Sequence, residues 1–222
     1  TFNRYYANTL ATYVSNSTPK IKTVFEKWRT ADTAALLSNL QKNEELKSAL
    51  LQETPWVLDA QNETQQKKNI ALSFDMIKMS SETDKAITQL KDMQSSNGGF
   101  VWFKGGPDDR YITQYIITGI GHLKKLNALS GNNVGQLKDI MGIVNKALPY
   151  LDKKIKEEYD NLIKSKADLK KNNLSNTAIQ YLYMRSFFTE NNIAIASQTA
   201  NTYYRGLAQK YWLSNSKYMQ AM

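Results

Sequence analysis

The 222-residue sequence predicts an all-α protein. Apolar residues recur at steps of three and four along most of the chain, which is the period of helices with one buried face. No run alternates apolar and polar residues for more than four positions, so no sheet of ordinary strands is expected. The helical segments have similar lengths and short connections, which is typical of bundles, solenoids and toroids.

The first helix is predicted over FNRYYANTLATYV, where the apolar stripe contains Phe2, Tyr6, Leu10 and Tyr13. Pro19 then suits the first turn of a second helix, because the missing N–H is not needed there. Two shorter helical pieces follow, with Asp32 and Asn43 as candidate N-caps.

The segment ETPWVLDAQNE interrupts the helical pattern. Thr54 precedes Pro55 and is therefore restricted to extended backbone. We expect Trp56 and Leu58 to be buried and to anchor this loop on the helices. Helix resumes over residues 62–79, and Ser81 with Asp84 fits a capping box that opens a further helix to about Met93.

A glycine-rich hinge, QSSNGGFVWFKGG, follows that helix. Gly98 and Gly99 permit the positive φ angles of a sharp reversal. Phe100 and Trp102 are predicted to fold back and fill the gap between the two helices that the hinge joins. Phe100 to Phe103 is too short to form a sheet by itself.

The helix after the hinge, YITQYIITGIGHL, carries Thr113 at its start as part of the same corner. Gly119 and Gly121 inside it each cost about 1 kcal/mol relative to alanine. A close approach between helices would offset that cost. Asn132 is predicted to cap the next, long helix, which Pro149 should kink or divide. Two further amphipathic helices are expected in LSNTAIQYLYMRSFF and ASQTANTYYRGLAQKYWL.

Composition narrows the possible functions. The chain has no cysteine, which excludes disulfides, thiolate chemistry and Cys-ligated zinc within it. Its net charge is +9, but the lysines are scattered, so we expect no nucleic-acid partner. No run of 18 apolar residues exists, so no membrane insertion by this chain is expected.

No catalytic, cofactor-binding or metal-binding residue is assigned from the sequence. His122 lies within a helix and is interpreted as bonded to a neighbour. Asp108 and Asp109 could be a pair of acids, but a helix N-terminus next to them favours capping. GGFVWFKGG follows no strand and lacks the dinucleotide pattern. A group of aromatic residues could line a sugar cleft, although a core stripe is the commoner role: Tyr181, Tyr183, Tyr203, Tyr204 and Trp212.

The hinge unit, QSSNGGFVWF followed by DDRYITQYIITGIGHL, resembles the glutamine–tryptophan repeat corner of the thioester domain of the α2-macroglobulin and complement family. Terpenoid cyclases and prenyltransferases share this corner and the toroid fold. ETPWVLDAQNETQQKKNIALSFD and FNRYYANTLATYV further resemble the Bacteroidetes branch of the bacterial α2-macroglobulin-like proteins. The resemblance covers the whole chain.

The resemblance implies one domain over residues 1–222, an α/α toroid incomplete at one or both ends and cut from a larger protein. It implies an endopeptidase inhibitor that traps proteases, exported to the periplasm or anchored at the cell envelope. Its expected partners are the other domains of the parent chain and the captured protease. The thioester motif of the family, Cys-x-Glu-Gln, would stand just before the helix that begins at Phe2, so none of its residues is carried onto this sequence.

Two other readings stay open. The first is a toroid glycosidase or lyase, which needs two carboxylates about 5–10 Å apart across a concave cleft. The acids that the sequence offers cluster at predicted helix ends: Glu53, Asp59, Glu63, Asp108 and Asp109. The second is a purely architectural helical module.

Overall fold

The computed structural model describes residues 1–18, 20, 23–24, 76–189 and 197–222. These residues are mostly helical, which confirms the all-α prediction. In chain order the α-helices are α1 (Phe2–Ser17), α2 (Met76–Asp92), α3 (Arg110–Lys125), α4 (Val134–Lys164), α5 (Asn176–Ser186), α6 (Gln198–Tyr211) and α7 (Lys217–Gln220). Two short 3₁₀ helices (Ala128–Gly131 and Trp212–Ser214) and two strands, β1 (Phe100–Val101) and β2 (Asp108–Asp109), complete the described elements.

Several sequence predictions fall on residues that lie outside these ranges. They are the helix that begins at Pro19, the pieces after Asp32 and Asn43, and the loop anchor formed by Trp56 and Leu58. In the part of the chain that is described, no helix combines the length and the apolar character needed to cross a membrane.

The capping box predicted at Ser81 and Asp84 is wrong. Helix α2 already runs through residues 76–80, so the Ser81 amide lies inside a helix and needs no cap. The Asp84 carboxylate instead accepts a hydrogen bond from Gln136 Nε2 at 2.8 Å, which ties α2 to the start of α4. The local sequence predicted that Asp84 would help to cap the start of a helix, whereas its carboxylate takes part in a contact between two helices.

Helix α4 is the longest described helix and begins one residue later than predicted. Asn133 is its N-cap, and a capping box forms because Asn133 Oδ1 accepts from the Gln136 amide while Gln136 Oε1 accepts from the Asn133 amide. Pro149 lies inside α4 without dividing it, so of the two predicted effects of this proline the kink stays a prediction. The helix contacts α2, α3, α5 and α6, and much of the core lies along its buried face.

Two polar networks connect α3, α4 and α5. Near the surface, Arg110 Nη1 pairs with Glu158 Oε2 at 2.7 Å, and the N-cap Ser175 donates to the other oxygen of Glu158 at 2.7 Å. In the core, Asp152 is fully buried and accepts from the Tyr181 hydroxyl at 2.7 Å, with Arg185 3.3 Å away. Buried charges are tolerated when they are paired and hydrogen-bonded in this way.

The two glycines of α3 allow close packing, as the sequence predicted. A Cβ on Gly119 would lie 2.4 Å from the Phe2 ring of α1, and a Cβ on Gly121 would lie 2.7 Å from the Phe187 ring after α5. Either methyl group would force a neighbouring ring to move. Helix α3 therefore lies between α1 and the end of α5 at distances that only glycine permits.

Candidate functional site

Two regions contain the residues that the sequence singled out. We call residues 93–109, with Thr113, the corner, because they reverse the chain between α2 and α3. We call a second, concave surface the tyrosine cleft, because it is lined by Phe2, Tyr6, Tyr111, Tyr115, Tyr183 and Tyr218. The corner is built from neighbours in sequence, whereas the cleft collects residues from α1, α3, α5 and α7.

The corner is a short antiparallel hairpin in which Phe100 pairs with Asp109 and Val101 pairs with Asp108. Gln94 holds it onto α4: its Nε2 donates to Gly98 O at 3.0 Å and to Ile143 O at 2.9 Å. The side-chain amide of Gln94 thus donates hydrogen bonds to one carbonyl group of the corner and to one carbonyl group of α4.

Both glycines of the corner are required by the closeness of α4. Gly98 has φ of +94°, and a Cβ there would lie 1.9 Å from the Lys146 carbonyl oxygen. A Cβ on Gly99 would lie 2.8 Å from the ring of Tyr150. Gly98 is therefore needed for its backbone angle and for space, and Gly99 for space alone.

Thr113 connects the hairpin to the first turn of α3. Its hydroxyl accepts from the Phe100 amide at 2.8 Å and donates to the Asp109 carbonyl at 2.6 Å. Phe100 is 0% exposed and belongs to the hydrophobic core. The structure therefore brings together the predicted corner residues Gly98, Gly99, Phe100 and Thr113.

The predicted burial of Trp102 is wrong. Its side chain is 57% exposed and stacks on Tyr111, with ring centroids 6.3 Å apart and 16° between the ring planes. The reason is that β1 ends at Val101, and the chain then turns, with the Gly106 amide donating to Phe103 O at 3.0 Å. Trp102 therefore belongs to the connecting turn, and of the two predicted rings only Phe100 is packed in the core.

The two aspartates act separately, as the sequence favoured. Asp109 caps α3 by accepting from the Ile112 amide at 2.8 Å. Asp108 accepts from Asn97 Nδ2 at 3.3 Å. The neighbouring Tyr150 hydroxyl, which makes no hydrogen bond by distance and angle, lowers the pKa of Asp108, and Asn97 and Lys154 lower it further.

The tyrosine cleft has a volume of about 520 Å³. Six aromatic rings line it: Phe2, Tyr6, Tyr111, Tyr115, Tyr183 and Tyr218. Its other polar side chains are uncharged, namely Asn3, Gln114, Thr118, His122 and Gln180, and the last two residues of the sequence, Ala221 and Met222, also line it. Within the part of the chain that the structure describes, no Asp, Glu, Lys or Arg lines this cleft. Its volume falls in the range of ligand sites.

One wall of the cleft joins α1 to α3. The Tyr115 hydroxyl donates to Asn3 Oδ1 at 2.9 Å, and the Phe2 ring meets the Tyr115 ring edge-on at 5.7 Å. Because Asn3 Oδ1 accepts this bond, the Asn3 NH₂ group remains as a donor on the cleft wall.

His122 lies two turns further along α3 than Tyr115 and confirms the interpretation as a helix histidine bonded to a neighbour. Its Nε2 lies 2.9 Å from the Tyr183 hydroxyl, and its ring packs edge-on against Phe187 at 5.1 Å. Burial lowers the pKa of His122, which keeps the imidazole neutral at pH 7.

The aromatic residues proposed for a sugar cleft do not form one surface. Tyr183 lines the tyrosine cleft, whereas Tyr181 and Tyr204 are buried in the core. Tyr203 packs against Tyr159, and Trp212 borders an adjacent groove that shares Tyr183 with the tyrosine cleft. Sequence reasoning missed Tyr6, Tyr111 and Tyr218, although the spacing of Tyr111, Tyr115, Thr118 and His122 is that of one helix face.

The described residues contain no group of three or more His, Asp or Glu side chains placed to hold a metal ion. In the comparisons with known proteins, no family model, curated protein or solved structure matches this chain.

Proposed function

We propose that this chain is the thioester-type domain of a bacterial macroglobulin-like protease trap, exported to the periplasm or the cell envelope. In this proposal the helices form part of an α/α toroid. The domain is not an enzyme: it binds the neighbouring domains of its parent chain before activation and contacts the captured protease afterwards. The corner supports it, because Gln94, Gly98, Gly99 and Phe100 are the residues that carry the sequence resemblance and they contact one another.

The observation that carries the proposal is the position of the tyrosine cleft at the beginning of α1. Phe2 and Asn3 of the first turn line the cleft. The resemblance implies a Cys-x-Glu-Gln motif immediately before that turn, so the motif would lie beside the aromatic wall. A thioester persists only where water and amines are kept away. The rings of Tyr111 and Tyr115 are about half exposed, so in this proposal a neighbouring domain covers the cleft in the inactive parent protein.

Exposed aromatic residues next to the cleft support a docking role. Trp102 and Phe103 are 57% and 66% exposed, and Trp102 stacks on Tyr111 of the cleft. Aromatic side chains are enriched at the centres of protein interfaces. A neighbouring domain would bury these rings in the inactive parent protein.

The alternative hypothesis, that the chain is a glycosidase, receives less support. Glycoside hydrolysis uses two carboxylates on either side of the bond that is cleaved. No Asp or Glu side chain lies in the described lining of the cleft. Asp109 caps α3, and Asp108 accepts a hydrogen bond from Asn97.

Methylamine uptake by the full-length parent protein tests covalent capture. Methylamine opens an internal thioester by attack at the glutamine-derived carbonyl and frees the cysteine thiol. We expect one methylamine bound and one thiol released per chain if Cys-x-Glu-Gln precedes Thr1. No uptake with the motif present would count against the proposal.

Thiol labelling tests docking, because the chain itself has no cysteine. We expect a cysteine introduced by Tyr111→Cys to react readily with a maleimide in the isolated chain and slowly in the parent protein until a protease cleaves it. Peptide mass spectrometry reads the label at position 111 separately from the thiol that an opened thioester releases. Val134→Cys is the matched control, since Val134 is 86% exposed on another surface. Equal labelling of Tyr111→Cys in both contexts would contradict a covered cleft.

A further inference from the structure

The corner contains the single Asn-Gly pair of the sequence, Asn97–Gly98. Asparagine before glycine is prone to spontaneous deamidation, because glycine has no side chain to keep its amide nitrogen away from the asparagine side chain. The glycine nitrogen bonds to Cγ of the asparagine, the Cγ–Nδ2 bond breaks, and ammonia leaves with the amide proton. Water then opens the cyclic succinimide to aspartate or to isoaspartate, in which the main chain continues through the side-chain carbon. The reaction needs only the chain and water.

In the folded corner, both reacting groups are held in hydrogen bonds. The Gly98 amide donates to Ser95 O at 2.9 Å, which closes a tight turn. Asn97 Oδ1 accepts from the Gly99 amide at 2.9 Å, and Asn97 Nδ2 donates to Asp108 Oδ1 at 3.3 Å. Ring closure requires the peptide between Asn97 and Gly98 to rotate, and the first two of these bonds oppose that rotation.

Packing against α4 opposes the same rotation. Gly98 is buried, and a Cβ there would lie 1.9 Å from the Lys146 carbonyl oxygen, so the turn has no free space on this side. Gln94 Nε2 holds the Gly98 carbonyl at 3.0 Å. The Asn97 side chain is itself exposed to water. The geometry of the turn therefore shields Asn97 from the reaction, and burial of the asparagine does not.

The product of the reaction fits the corner poorly. Deamidation replaces the Asn97 NH₂ group by a carboxylate oxygen, which lies beside Asp108 Oδ1 where a donor stood before. Two like charges at this distance repel each other. Isoaspartate also lengthens the main chain by one methylene group next to Gly98, where α4 leaves no room. A chain that has reacted therefore does not regain the original corner.

We propose that Asn97 is a site of spontaneous deamidation that the folded corner keeps closed, so that the modification marks chains in which the corner has opened. The mark is one-way, because the product weakens the contacts that had prevented the reaction. This inference goes beyond the proposed function and does not depend on it, since only residues of the corner and of α4 take part.

Peptide mass spectrometry of the 222-residue chain, incubated at neutral pH with and without denaturing guanidinium chloride, tests the shielding. We expect Asn97 to convert at least about tenfold more slowly in the folded chain, because the reaction requires local opening. Gln94→Ala removes the bond to the Gly98 carbonyl and should raise the rate in the folded chain at least about threefold. Asn16, which precedes Ser17 in α1, is the internal control, and its rate should not change in this variant.

Equal rates at Asn97 in the folded and denatured chain, or an unchanged rate in folded Gln94→Ala, would overturn the proposal. Circular dichroism shows whether that variant folds, and the comparison on the unsubstituted chain decides the question if it does not.

Urea denaturation of Asn97→Asp tests the one-way character. We expect a lower unfolding midpoint than for the unsubstituted chain, and we expect the further substitution Asp108→Asn to restore it by removing the pair of like charges. An unchanged midpoint in Asn97→Asp would show that the product fits the corner, and the modification would then not be a one-way mark.

Discussion

The corner and the tyrosine cleft use similar residue types for opposite purposes. In the corner, the amides and hydroxyls of Gln94 and Thr113 pair within the molecule, and the Phe100 ring is buried. In the cleft, the rings of Tyr111 and Tyr115 are 51% and 45% exposed. Buried and paired groups such as those of Gln94, Thr113 and Phe100 contribute to stability, whereas exposed rings, in the cleft and at Trp102 and Phe103, can bind a partner. Substitutions of the buried corner residues should therefore change stability, and substitutions in the cleft should change binding.

The largest expected effect contrasts the two aromatic residues of the hinge. Phe100→Ala should lower the free energy of unfolding by about 3–5 kcal/mol, because it leaves a cavity in the core. Trp102→Ala should cost under about 1 kcal/mol, because the side chain is on the surface. Urea denaturation measures both. Equal losses would mean that Trp102 stabilises the corner as the sequence predicted.

A second comparison concerns two glycines with positive φ. Gly98→Ala should cost about 3 kcal/mol, since backbone strain adds to the collision with the Lys146 carbonyl. Gly105→Ala should cost only about 1 kcal/mol, because φ there is +85° but no described residue other than its chain neighbours has an atom within 4 Å of the added methyl group. Thermal or urea unfolding of both variants checks the difference, and similar losses would show that α4 can move away.

The third comparison concerns two threonines. Thr113→Val should cost about 1–3 kcal/mol, because it leaves the buried Phe100 amide without an acceptor. Thr118→Val in the cleft should change stability by less than about 0.5 kcal/mol, as for most partly exposed positions. If the two variants unfold at the same urea concentration, the hydroxyl of Thr113 does not connect the hairpin to α3.

Alanine substitutions at two helix glycines should change the stability of the chain in opposite directions. Gly119→Ala should destabilise the chain by about 1–3 kcal/mol, because its methyl group overlaps the Phe2 ring. Gly142→Ala in α4 should stabilise it by about 0.5–1 kcal/mol, because alanine favours helix and, among the described residues outside the helix's own backbone, none has an atom within 4 Å of the added methyl group. A gain at both positions would indicate that α1 packs less closely on α3 than the structure shows.

The smallest effect concerns the pH dependence that His122 contributes. Its pKa in the folded chain lies below the ordinary value of about 6.5, so the unfolded chain takes up the proton first as the pH falls. The unfolding free energy should therefore decrease as the pH falls from about 7 towards the folded-state pKa. His122→Gln should remove this slope, and an unchanged slope in urea titrations at several pH values would assign it to other groups.

The sequence predicted the elements better than their contacts. Helices α1, α3, α5 and α6 were expected where they occur, and the corner glycines were recognised from the hinge pattern. Ser81 was wrongly predicted as an N-cap because the same residue pattern also occurs inside helices. The N-cap of α4 was predicted one residue too early in the sequence. The residues of the cleft were mostly missed, because exposed tyrosines resemble core tyrosines at the same helical spacing.

The sequence by itself determined that the chain is helical and where it reverses, because periodicity and glycine conformation act over a few neighbouring residues. Only the tertiary structure decided that Phe100 is buried and Trp102 exposed, and that Tyr6, Tyr115 and Tyr218 share one cleft. The direction of a ring depends on which distant helix lies beside it, and the spacing of residues along one helix carries no information about that neighbour.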